Sequence, residues 1–116
     1  MSITIYHNPR CSKSRQTLSI LEDKGMDIEI IEYLQTPPDA ATLQALIKKL
    51  GITPKDLLRK GEEEFKQAGL DKKNVTDEEI IQAMLKYPKL IERPIVVNND
   101  KAALGRPPEN VLAILE

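Results

Sequence analysis

A chain of 116 residues is one domain's worth, and 41% hydrophobic residues suffice for a single core. With 30% charged residues and a formal net charge of −1, the chain has the composition of a water-facing surface and no general electrostatic attraction to nucleic acid or membranes. Three tyrosines, one phenylalanine and no tryptophan offer no platform for stacking bases, and no apolar run approaches the length of a membrane span.

One cysteine precludes an internal disulfide, and one cysteine with one histidine is too few for a zinc site. No bound metal or cofactor is therefore expected. The first residues enter a strand pattern directly, without the apolar region of a signal peptide. A cytoplasmic location is expected, and nothing in the pattern demands more than a monomer.

In chain order, Ile3 to Tyr6 reads as a short strand of β-branched and aromatic residues. A helix is predicted over Ser12 to Lys24, with Leu18, Ile20 and Leu21 inward and Gly25 as its stop. Ile28 to Leu34 is a second strand; strand, helix and strand within about 30 residues predict a βαβ unit and a parallel pair. Helical spacing of Leu43, Leu46, Ile47 and Leu50 predicts a helix over Ala40 to Leu50, closed by Gly51. Thr53-Pro54-Lys55-Asp56 has the chemistry of a helix start, and Glu62 to Ala68 reads as a short polar helix. Thr76-Asp77-Glu78-Glu79 is a capping-box pattern opening a helix that carries Ile80, Ile81, Met84 and Leu85 and stops before Pro88. Arg93 to Val97 is a third strand with Pro94 at its start, where proline is tolerated. Asn98-Asn99-Asp100 is turn chemistry, after which Lys101 to Leu104 returns antiparallel. A last helix follows Gly105-Arg106-Pro107-Pro108, with Val111, Leu112, Ile114 and Leu115 apolar. The expectation is an α/β fold of one thioredoxin-like domain over residues 1–116: a mixed four-stranded sheet flanked by helices, with a helical insertion over about residues 36–90 between the second and third strands.

Chemistry concentrates in Thr4 to Leu18, which holds the only histidine, His7, and the only cysteine, Cys11. Cys11 falls where a strand gives way to a helix. The first-turn N–H groups there are unpaired and the helix dipole favours negative charge, so a thiolate is favoured. Arg15, one turn on, is placed to share the face of Cys11. A lone cysteine is commonly an inert buried hydrophobe. The polar and basic neighbours Asn8, Arg10, Ser12, Lys13, Ser14 and Arg15 instead predict a partly exposed, electropositive nucleophile.

The set His7-Asn8-Pro9-x-Cys11-x-x-Ser14-Arg15, with Arg59, Arg93-Pro94 and Gly105-Arg106-Pro107, resembles the glutaredoxin-coupled arsenate reductases (ArsC-like) over essentially the whole chain. The resemblance implies a thioredoxin-like fold and reduction of arsenate to arsenite, with electrons from glutathione and glutaredoxin. It implies Cys11 as nucleophile, influenced by His7; Arg15, placed by its helical spacing on the face of Cys11, completes the expected catalytic set. It implies Arg59, Arg93 and Arg106 as oxyanion ligands and Pro94 as the cis-proline of the fold. Arginine suits an oxyanion because it stays charged and presents a planar fork of donors. Phosphate, of similar shape and charge, is expected to compete. Ser14 stands where a dithiol oxidoreductase has its resolving cysteine, so the electrons must come from an external thiol.

Taken singly, each of these residues has a plainer role. Arg59 suits a solvated helix end, Arg93 an ion pair with Glu92 or Asp100, Arg106 a helix-carbonyl cap, and His7 the orientation of a turn. Two other functions fit the resemblance. One is a glutathione-dependent thiol oxidoreductase with a different natural substrate. The other is a non-enzymatic regulator like the Spx proteins, which share the fold and commonly carry a Cys-x-x-Cys switch absent here.

Overall fold

The computed structural model describes residues 2–115. They form two compact units: one comprises the chain up to Thr36 together with Arg93 onward, the other is Pro37–Glu92.

The first unit is built on a four-stranded sheet in the order β2-β1-β3-β4, from β1 (Ser2–His7), β2 (Asp27–Glu32), β3 (Ile95–Asn98) and β4 (Lys101–Leu104). β1 pairs parallel with β2, from Ser2 opposite Asp27 to His7 opposite Glu32, and antiparallel with β3. The crossover helix α1 (Ser12–Asp23) makes the parallel pair possible. β3 and β4 form a tight hairpin in which Asn98 faces Lys101. Its turn needs a left-handed residue, and Asn99 supplies it at φ 58°. This is the thioredoxin-like mixed sheet expected from the order of elements.

Ile3 and Ile5 point to one face of β1 and pack with Leu21, Val96, Val111 and Ile114. Burial of each such side chain contributes about 1.5–3 kcal/mol. The inward stripe of α1 differs from expectation: Ser14, Thr17 and Leu21 are buried, while Leu18 and Ile20 are only partly so. Two polar residues occupy the stripe because each finds partners there. Thr17 Oγ1 donates to Lys13 O at 2.8 Å and lies 3.5 Å from Gly105 O. The bonds of Ser14 belong to the site below.

Other boundaries shift for local reasons. β2 stops at Glu32 because the N–H groups of Gln35 and Thr36 both turn back to its carbonyl. Tyr33 is therefore a buried turn residue, not strand. β3 begins only at Ile95, after a proline that brings no N–H to a ladder. The final apolar segment, Pro108–Ile114, is a 3-10 helix and not an α-helix.

The second unit contains α2 (Ala40–Leu50), α3 (Pro54–Leu57), α4 (Glu63–Gln67), α5 (Asp77–Lys86) and a 3-10 turn, Pro88–Leu90. Asp39 caps α2, accepting from Thr42 N–H at 2.8 Å, and Gly51 closes it in the left-handed region at φ 69°. The Thr76/Glu79 capping box forms as the pattern predicts, with reciprocal bonds of 3.2 Å. Leu57 and Leu58 tie to Glu92 and Ile91, through Glu92 N–H to Leu57 O at 2.8 Å and a Leu58–Ile91 bridge.

Gly105 has a different requirement. A Cβ there would collide with Thr17 Oγ1 and stand 2.8 Å from Pro94 Cγ. Gly105→Ala is expected to destabilise the protein by about 1–3 kcal/mol, the usual cost of overpacking, read as a lower urea midpoint at unchanged m-value.

Candidate active site

β1 delivers its last residue, His7, to the same face as Ile3 and Ile5, and it is 6% exposed. The chain turns through Asn8-Pro9-Arg10, pinned by Cys11 N–H to Asn8 O at 3.0 Å and Arg10 N–H to Asn8 Oδ1 at 3.0 Å. Cys11 is then the N-cap of α1, with extended backbone (φ −94°, ψ 122°), and its own carbonyl accepts from Arg15 N–H. It holds the position from which a Ser or Asp oxygen ordinarily caps the free N–H groups of the first turn, but its side chain makes no capping bond. No acidic residue lies in that turn to oppose an anion.

Cys11 is 8% exposed, so the partly exposed thiol expected from its polar neighbours is in fact largely covered. Those neighbours point elsewhere: Arg10, Ser12, Lys13 and Arg15 are exposed while the Cys11 side of the turn faces inward.

Arg106 meets the thiol. Its Nη1 approaches Cys11 Sγ at 4.0 Å and donates to Arg93 O at 3.3 Å. Residues 95 positions apart are joined because the β3–β4 hairpin returns the chain to α1, where Gly105 packs on Thr17 and Pro94. Gly105 N–H donates to Pro94 O at 3.0 Å. The peptide bonds Arg93–Pro94 and Arg106–Pro107 are both cis, the first as the resemblance implies. Arg93 Nε and Nη1 lie out of solvent.

The other named residues are placed as follows. Arg15 does not turn its guanidinium to Cys11: Nη1 donates to Pro9 O at 2.8 Å and fastens the turn. Arg59 belongs to the second unit, where Nη1 pairs with Glu62 at 2.6 Å and Nε lies 3.6 Å from Glu92.

Ser14, the residue in the place of a resolving cysteine, organises this corner. Fully buried, its Oγ accepts from Asn8 N–H at 3.0 Å and lies 2.6 Å from His7 Nδ1. Either tautomer of a neutral ring satisfies the contact, since the hydroxyl can donate to Nδ1 or accept from it as well as from Asn8. Burial pushes the imidazole below its ordinary 6.5; the Glu32 carboxylate opposes this and Arg15 adds to it. His7 is thus neutral near pH 7, and the formal positive charge placed beside Cys11 is that of Arg106. The alternation Ile3-Ile5-His7 could have shown that the ring faces inward.

A depressed histidine pKa has a definite linkage sign. The unfolded chain binds the proton more readily, so stability is complete above the unfolded value of 6.5 and is lost as pH falls through it toward the lower folded value. The shifted carboxylates Asp39, Asp56 and Glu79 are all lowered, so they act at more acidic pH. His7→Asn, which keeps a hydrogen-bonding atom near the Nδ1 position, is expected to flatten the fall in thermal midpoint between about pH 7 and pH 5 that wild type shows. Equal slopes for the two proteins would count against a buried neutral His7.

A family model described as the ArsC family matches residues 6–114. A protein of Escherichia coli described as uncharacterized protein YfgD is 52% identical over 114 residues, covering 97% of this chain and 96% of its own. An arsenate reductase of Haemophilus influenzae is 48% identical over 116 residues, covering 99% and 100%. The solved structure of an arsenate reductase from Vibrio cholerae aligns with a TM-score of 0.95 at 47% identity, covering 99% of this chain and 98% of that one. With the family model spanning nearly the whole length, and the relatives' identity extending from end to end, the chain belongs to the ArsC family.

Proposed function

We propose that this protein is an arsenate reductase, in which Cys11 attacks arsenate and glutathione with glutaredoxin supplies the electrons. The observation that carries this reading is Arg106 Nη1 at 4.0 Å from the sulfur of a helix N-cap cysteine. The names of the relatives support the substrate.

Arsenate is a tetrahedral anion with one to two negative charges near neutral pH, and a thiolate approaching it is repelled unless that charge is met. An oxyanion held at Cys11 has the first-turn N–H groups of α1 on one side and the Arg106 guanidinium on the other. The Cys11 thiolate forms an S–As bond and one arsenate oxygen leaves as water. A glutathione thiol then displaces a second oxygen, again as water. The glutaredoxin thiolate attacks the glutathione sulfur, and the S–As bond electrons pass to arsenic, which goes from As(V) to As(III). The glutathione leaves as a mixed disulfide with glutaredoxin. Water releases arsenite from Cys11, and the thiolate is restored.

Arg93 and Arg59 are oxyanion ligands in this scheme. Arg93 enters beside Arg106, to which it is already tied through its carbonyl. Arg59 is held in the second unit by Glu62 and Glu92. His7 and Arg15 act on the turn that presents Cys11, His7 through Ser14 and Arg15 through Pro9. The reaction takes place in the cytoplasm on a monomer with no bound cofactor.

NADPH oxidation coupled through glutathione reductase, with glutathione, glutaredoxin and arsenate, tests the proposal. Wild type is expected to show an arsenate-dependent rate that Cys11→Ser abolishes and that phosphate inhibits competitively. Arg106→Ala is expected to lower kcat/KM by about ten- to 150-fold, and Arg106→Lys to recover only part, since one charge-assisted contact is worth roughly 1.5–3 kcal/mol. No arsenate-dependent rate, with Cys11 still alkylated rapidly at neutral pH, would reject arsenate as the substrate and leave an activated thiol for another.

A further inference from the structure

The second unit contains a concave site whose residues play no part in the chemistry of Cys11. A cavity of about 180 Å³ opens where the end of α3, the turns after α4 and the start of α5 meet. Its floor includes Leu70 and Ile80, both buried, and the half-buried ring of Phe65, the only phenylalanine in the chain. Its rim carries the exposed lysines Lys55, Lys60, Lys72 and Lys73.

The rim charges are not all compensated. Lys72 Nζ is bound to Glu79 at 2.6 Å. Lys60 faces Asp56, whose carboxyl is held below its usual range chiefly by Thr53 and in smaller part by Lys60. Lys55 and Lys73 have no ion pair within 4.0 Å among the described residues. In a chain with a net charge of −1, this clustering is a local feature and not the by-product of a basic protein.

Size and shape select the occupant. Pockets for drug-sized ligands run to about 300–1,000 Å³, so this one has room for a single aliphatic side chain. The apolar part is recessed below a charged rim, whereas a membrane-surface anchor presents its apolar face outward to the lipid. A half-buried single ring gives no stacking surface for nucleic acid. We propose that the pocket docks an acidic peptide segment of a partner protein, with one leucine-sized side chain in the cavity and flanking carboxylates on Lys55, Lys60 and Lys73. Such a small, charge-rimmed contact gives weak, salt-sensitive, rapidly exchanging binding.

The single phenylalanine provides the readout. Full-length protein carrying fluorophenylalanine has one fluorine resonance, in the pocket wall, which can be titrated with a poly-aspartate peptide bearing one central leucine. The expected result is a saturable shift of that resonance, weakened about tenfold or more when serine replaces the leucine, as the loss of one buried aliphatic group predicts. Lys55→Glu with Lys73→Glu, both surface changes, is expected to weaken binding by about tenfold while retaining the circular dichroism and arsenate turnover of wild type. Four outcomes overturn the proposal: no saturable shift, equal affinity for the leucine and serine peptides, unchanged affinity in the double variant, or lysine-dependent binding of phosphatidylserine vesicles without peptide binding.

Discussion

No Cβ fits between the Gly105 backbone and the Thr17 side chain, and the place of Arg106 follows from that contact. The next residue along from Gly105 has its guanidinium at the N-terminus of α1 because the hairpin exit is seated directly on the helix. Thr17 takes part through its hydroxyl, which is held by Lys13 O one turn earlier and so cannot swing away from the approaching strand. A helix buried by leucines alone would hold the strand farther off, since a leucine needs more space than a threonine. The polar stripe of α1 is therefore the reason the two ends of the chain meet closely enough for a guanidinium to reach a thiol.

The electrostatics divide between residues that carry charge and residues that hold geometry. His7, the only imidazole, lies in a desolvated position and is bound to Ser14, so it is neutral near pH 7. Arg15, nominally a cation next to the thiol, holds the Pro9 carbonyl. Together they fix the Asn8–Cys11 turn from inside and outside. The field at Cys11 is left to the helix N-terminus and the Arg106 guanidinium.

Much of the fold was legible where local chemistry and tertiary packing agree. The bounds of α2 and β4 follow from an apolar helical stripe with its caps and from an Asn-rich turn. The thioredoxin-like order follows from a parallel pair joined by a helix and an antiparallel hairpin. Local propensity misleads where backbone bonds decide otherwise: Tyr33 and Leu34 look like strand but lie inside the turn that closes on Glu32 O. The Cys11–Arg106 contact was readable only as a resemblance, because nothing in local spacing joins residues so far apart. Ser14 and Thr17 carry no core signal in the sequence, because polar side chains ordinarily mark an exposed face. Their burial depends on partners at His7, Asn8 and Gly105 that only the folded backbone supplies.

The sheet order has a further consequence for the chain as a solute. Its two outer strands, β2 and β4, each have one side unpaired by the other strands, and such edges are templates for unwanted pairing with neighbouring molecules. Here they are blunted by different means. β2 carries exposed Asp27, Glu29 and Glu32 along six residues, so two copies meeting edge to edge would bring carboxylates together. β4 is only four residues long, begins with an exposed lysine, and runs straight into the Gly105 contact. The most exposed aliphatic on the acidic edge, Ile30, is thereby set among charged residues, and β1, which leads into the Cys11 turn, is paired on both sides.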